Sequence, residues 1–165
     1  MESLRIRNVA PDEMQWLTDW AAAEGWNPGL HDAECFFAAD PQGFFVGEVA
    51  GSPVGCISAV AYGTEFGFIG FYIVRSEFRG KGYGIKLWQA AMRYLGSRNI
   101  GLDGVVAQQA NYQKSGFRLA YRNIRYGASR LEALQSAPGL VPLAQLPFET
   151  LAAYDRTMFG FERQA

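Results

Sequence analysis

Six residues, Arg79-Gly80-Lys81-Gly82-Tyr83-Gly84, stand between a long apolar run that ends at Val74 and a segment with helical periodicity that begins at Gly82. A strand that ends, a short glycine-rich loop and a helix that begins form a physical device. The first amides of a helix have no partner within it, and the helix dipole puts partial positive charge at that end. Glycines let a phosphate approach those amides without interference from Cβ. The chemistry these residue types support is therefore binding of a phosphate or pyrophosphate, with Arg79 and Lys81 adding charge at the rim. The bare pattern is weak by itself; its position between strand and helix is what gives it meaning.

Two other phosphate loops do not fit. The P-loop requires Ser or Thr after its Lys, and Lys81 is followed by Gly82. The dinucleotide fingerprint requires a third glycine where Ile85 stands. A second segment, Tyr112-Gln113-Lys114-Ser115-Gly116-Phe117, follows one helix and one strand later. With both segments in this order, residues 4–127 resemble the GNAT superfamily of acyl-coenzyme A dependent N-acetyltransferases. The first matches that family's coenzyme A loop and the second its later Tyr-x-Lys-x-Gly-Phe segment.

The resemblance implies a mechanism. Acetyl-coenzyme A would lie in a cleft where the strand ending at Val74 diverges from the strand after the helix. The backbone of Ile73 and Val74 would hold the pantetheine arm, and Arg79, Gly80, Lys81, Gly82, Tyr83 and Gly84 the pyrophosphate. An amine would attack the thioester directly, an N–H of the strand would polarise its carbonyl, and Tyr112 would protonate the departing thiolate. The chain departs from the family in one respect: Phe68-Ile69-Gly70-Phe71-Tyr72 carries no glutamate to serve as base. Glu65 at the start of that strand is the leading substitute, with Glu24, His31 and Asp32 behind it, and deprotonation through water is a further route. The asparagine common before the tyrosine helix is replaced by Gln108 and Gln109, with Asn111 next to Tyr112.

The elements that must position these residues can be read from periodicity. Residues 4–9 alternate as a half-buried strand, and Pro11 opens a helix to about residue 23. Asp32 starts a short second helix through residue 39. Residues 44–49 and 54–62 read as a hairpin, and 66–74 as a nearly continuous apolar strand covered on both faces. Residues 82–96 form a helix with Ile85, Leu87, Trp88, Ala91, Met92 and Leu95 as its apolar stripe. Residues 101–107 read as a strand, 111–115 as a short helix and 117–126 as a last strand. This is an α/β fold: a mixed, mostly antiparallel sheet flanked by helices, with a splayed central strand pair. The domain is expected over 1–128. Residues 129–165, punctuated by Pro138, Gly139, Pro142 and Pro147, read as a linker and helix that either packs on the core or begins a second unit.

Composition narrows the partners. With 165 residues, 49% of them hydrophobic, the chain can bury a substantial core. A net charge of −1 without a basic stripe argues against nucleic acid and anionic membranes. No apolar run approaches the ~20 residues of a membrane span. The single His31 cannot build a histidine-rich metal site, so no metal is expected, and Cys35 and Cys56 read as reduced core residues of a cytoplasmic protein. The aromatic content of 15% fits a large core, a homodimer interface or an aromatic-lined pocket. The expected activity is transfer of acetyl from acetyl-coenzyme A to a primary amine of a small molecule. A protein N-terminal or lysine acetyltransferase, and a non-catalytic acyl-coenzyme A sensor, are the alternatives.

Overall fold

The computed structural model describes residues 3–124, 126–127 and 139–163. β1 (Arg5–Asn8) leads through a 3-10 turn at Pro11–Glu13 into α1 (Met14–Ala23). Then come α2 (Asp32–Ala39), β2 (Phe44–Val49), β3 (Ser52–Tyr62) and β4 (Phe66–Val74). α3 (Tyr83–Leu95), β5 (Asn99–Leu102), α4 (Gln109–Lys114) and α5 (Phe148–Phe159) follow. The strands make one sheet in chain order, β1-β2-β3-β4-β5. Every pairing is antiparallel except β4 with β5. A parallel neighbour needs a crossover, and α3 supplies it.

Both faces of the sheet are covered, which is why β3 and β4 read as unbroken apolar runs. On one face α1 buries Met14, Leu17 and Ala21 against Phe44, Val46, Cys56, Val60 and Ile73. α3 buries Leu87, Trp88, Ala91 and Leu95, one stripe at helical spacing. Glycines in the sheet let α3 come close: a Cβ at Gly67 would lie 2.5 Å from Leu95 Cδ2, and one at Gly55 3.2 Å from Leu87 Cδ1. Ile85, expected in the stripe, is instead 54% exposed. Asp40 is buried but satisfied: it accepts from the Tyr94 hydroxyl at 2.8 Å and the Ala61 amide at 2.8 Å. Arg7 bridges Glu13 and Glu48, fastening β1 to β2 and to the start of α1.

The described residues up to Asp103, with those from Asp155 onward, form one compact unit; Gly104–Tyr154 is a second. The end of α5 therefore packs on the core unit. Phe161 stacks on Phe66 at 4.5 Å, and Phe159 meets Phe66 at 5.3 Å and Tyr62 at 6.4 Å. Most of the linker-like stretch, residues 129–138, lies outside the described residues.

Two expected strands differ. β5 ends at Leu102 instead of continuing to 107: its pairing with β4 stops at Ile69 opposite Leu102, and Val106–Gln108 forms a 3-10 turn. Among the described residues of 117–126 no strand forms. The apolar side chains that made this segment read as a strand, Leu119, Tyr121 and Ile124, remain 55–72% exposed. Cys56 is buried, whereas Cys35 is exposed, because α2 turns it away from the core; both thiols are free. Among the described residues no helix is long and apolar enough to cross a membrane, and no group of three His, Cys, Asp or Glu could hold a metal ion.

Candidate functional site

The sheet opens at one place. The parallel ladder between β4 and β5 stops at Ile69 opposite Leu102, yet β4 continues for five more residues, Gly70–Val74. The divergence is sharpened by a bulge in the pairing of β3 with β4. Cys56 pairs with Ile73 and Ser58 with Gly70, so Phe71 and Tyr72 oppose Ile57 alone. Phe71 takes up the extra residue at φ +43, a conformation uncommon for a bulky side chain. Its carbonyl accepts a hydrogen bond from the Cys56 thiol at 3.1 Å. Burial pushes the Cys56 pKa well up, so this thiol stays protonated and keeps donating. Bulges re-aim backbone and side chains beside active sites, and this one sits where β4 leaves its neighbour.

The loop follows directly. A 3-10 turn at Ser76–Phe78 reverses the chain, and Gly80 (φ +74) and Gly82 (φ +78) carry it into α3. Both glycines hold left-handed conformations that L side chains adopt only under strain, with open space where a Cβ would project. Gly82 is the N-cap, and no side chain caps the helix. A Cβ at Gly84 would lie 2.9 Å from the Tyr72 hydroxyl oxygen, so this glycine lets the first turn of α3 lie against the end of β4. The structure thus brings Ile73, Val74, Gly80, Gly82, Tyr83 and Gly84 together at one end of the core unit.

The side-chain cations are placed differently from a simple rim. Arg79 Nε donates to the Val74 carbonyl at 2.7 Å, and its Nη2 pairs with Glu24 at the end of α1. Lys81 Nζ donates to the Glu77 carbonyl at 3.0 Å and lies over the Phe78 ring. Glu65 is exposed in the turn before β4. At about 3.3 Å per residue it is roughly 30 Å from Val74. A carboxylate at that end of the strand cannot act as base on a group held at Ile73 and Val74. His31 pairs with Glu34 on the surface, and Asp32 accepts from the Gly29 amide, so neither is arranged as a base. Tyr112 lies on α4 in the second unit, half-buried, and burial pushes its hydroxyl pKa up. Next to it, Asn111 donates to Gln108 at 2.6 Å. The bulge at Phe71-Tyr72 escaped the sequence reading; its only mark there is Gly70, where a Cβ would crowd Ser58 Oγ at 3.0 Å.

Residues 9–117 match the sequence model of the Acetyltransferase (GNAT) family. The chain belongs to the GNAT acetyltransferase family. Holothin acyltransferase of Pseudoalteromonas sp. (strain SANK 73390) is 36% identical over 154 residues, which are 93% of this chain and 52% of that protein. The chain thus spans about half the length of this curated relative. A Pyrococcus horikoshii protein described as an acetyltransferase superposes with a TM-score of 0.72 at 20% identity, over 99% of this chain and 59% of its own. A Clostridium acetobutylicum protein crystallised with acetyl-CoA superposes at 0.58 with 11% identity, over 76% of this chain and 96% of its own. These likenesses show the GNAT fold. The residues present suit the acyl-coenzyme A that this family uses. Amides without a side-chain cap, two left-handed glycines with open space beside them and a strand end with no β5 partner are features that a pyrophosphate and the arm attached to it would need.

Proposed function

We propose that this GNAT domain moves an acyl group, acetyl first among them, from acyl-coenzyme A to a primary amine of a small molecule by direct attack. The observation that carries the reading is the junction of the freed end of β4 with the glycine-opened start of α3. The acyl thioester supplies the reactive carbonyl. In this reading the α3 amides bind the pyrophosphate, the backbone of Ile73 and Val74 holds the pantetheine arm, and an N–H of that stretch polarises the carbonyl. The amine loses its proton to water, because Phe68-Ile69-Gly70-Phe71-Tyr72 of β4 supplies no carboxylate. Tyr112 hands its proton to the departing thiolate; a raised pKa keeps that proton available throughout the physiological range.

The relative named holothin acyltransferase supports acyl transfer and makes holothin one acceptor to try. The acetyl-CoA in the Clostridium structure supports the donor. Two free thiols fit action in the reducing cytoplasm. In this reading the acetyltransferase domain spans residues 1–128 and residues 129–165 are a C-terminal extension; a homodimer is a separate expectation. The test is a mass-spectrometric screen of the full chain with acetyl-CoA and longer acyl-CoAs against holothin, polyamines, amino acids, aminoglycosides and peptides. N-acylated small molecules are expected. Products on oxygen alone would refute the amine assignment. Acylated peptides alone would favour a protein acetyltransferase, and binding without turnover a sensor.

A further inference from the structure

Three cations surround the cofactor loop, and they are not equivalent. Arg75 is occupied within its own neighbourhood: it donates to the Pro53 carbonyl at 3.1 Å, pairs with Glu77 at 2.7 Å and lies 6.0 Å from the centre of the Trp20 ring. Lys81 is turned back onto the Glu77 carbonyl. Arg79 alone of the three pairs with a carboxylate distant in sequence, Glu24, where α1 ends and Gly25 (φ +77) turns the chain away. Its guanidinium stays at the loop because Nε donates to Val74 O, the last residue of β4. The group best placed to meet a phosphate at the start of α3 is therefore held by a carboxylate of another element.

We propose that Glu24 competes with the coenzyme A pyrophosphate for Arg79. The Glu24–Arg79 pair gives way to an Arg79–phosphate pair as the cofactor enters, and Glu24 thereby sets cofactor affinity and links the end of α1 to cofactor arrival. The inference rests on the acyl-coenzyme A reading above and adds to it a residue that lies outside the loop. Relative strengths decide the direction of exchange. The Arg79 and Glu24 side chains are 49% and 33% exposed, and exposed ion pairs hold their partners by no more than about fivefold. A guanidinium–phosphate pair is charge-assisted, can be bidentate, and is worth about tenfold or more. Exchange is therefore downhill, but each binding event must first break the Glu24 pair.

The experiment is titration calorimetry of the full chain at low salt, with coenzyme A and with pantetheine, which lacks the pyrophosphate. Wild type, Glu24→Gln, Arg79→Ala and the double variant are compared. Glu24→Gln should tighten coenzyme A by about two- to fivefold, leave pantetheine unchanged, and have no effect in the Arg79→Ala background. Its melting temperature should stay near wild type, since the pair is exposed. Unchanged or weaker coenzyme A binding in Glu24→Gln overturns the proposal, as does an equal gain with pantetheine or a gain that survives Arg79→Ala. Wild type that binds no coenzyme A refutes the acyl-coenzyme A reading and this proposal with it. Wild type that binds while Glu24→Gln has no effect refutes the proposal alone.

Discussion

Replacing Gly82 by alanine adds one methyl group at φ +78, at the N-cap of α3, with no protein atom within 4 Å of it. The folded chain therefore suffers no steric clash, only the cost of a Cβ in the left-handed region, about 1–2 kcal/mol. For a chain of this length that lowers the melting temperature by about 2–8 °C. Gly63 provides a matched control: it too has positive φ (+60) and open space, but it lies in the turn at the other end of β4. Gly63→Ala should cost the same stability. The two variants should part in cofactor binding. At Gly82 the methyl group stands at the cradle and should remove about one charge-assisted amide–phosphate bond, worth about 1.5–3 kcal/mol. Coenzyme A should bind about ten- to a hundredfold more weakly to Gly82→Ala and normally to Gly63→Ala, read by calorimetry on both. Equal affinities in the two variants would refute the reasoning.

Tyr112→Phe keeps the ring and removes the proton donor; kcat should fall by about 10²-fold or more, with coenzyme A affinity and melting temperature near wild type. Normal turnover with reduced stability would leave Tyr112 a packing residue. Cys56 gives a pH dependence. Its folded pKa is raised above the ordinary 9.0, so its contribution is complete below pH 9 and is lost as pH rises, by about 1.4 kcal/mol per unit. Denaturant unfolding from pH 8 to 10 should show that loss, and Cys56→Ala should flatten it; the same slope in both proteins would contradict the assignment. Phe161→Ala removes the ring stacked on Phe66 and should cost about 1–3 kcal/mol, seen as a lower melting temperature, whereas an unchanged value would mean that the 155–163 segment does not secure the core.

The parts of the fold that could be read in the sequence are those governed by local periodicity. The α3 stripe of Leu87, Trp88, Ala91 and Leu95 and the apolar runs of β3 and β4 report burial directly. The loop was legible because its mechanism demands glycines at a helix start, and Gly80 and Gly82 do adopt positive φ. What escaped depends on long-range geometry. Nothing in Phe71 announces φ +43; that follows from the register between Ser58 and Gly70. Arg79 reads as a phosphate ligand until α1 delivers Glu24 across 55 positions of sequence. Glu65 looked close to the site because it precedes the right strand, but a nine-residue strand carries its two ends far apart. The described residues of 117–126 carry strand-like side chains yet form no strand, so the local pattern overstated the sheet.

The most direct test of the account is amide hydrogen exchange on the full chain with and without acetyl-CoA. Protection should rise at residues 80–86, where the proposal has the α3 amides bind the pyrophosphate, and at residues 70–74, where β4 runs free of β5. No change at these two stretches, with protection elsewhere or none at all, would contradict the claim that this junction is the acyl-coenzyme A site.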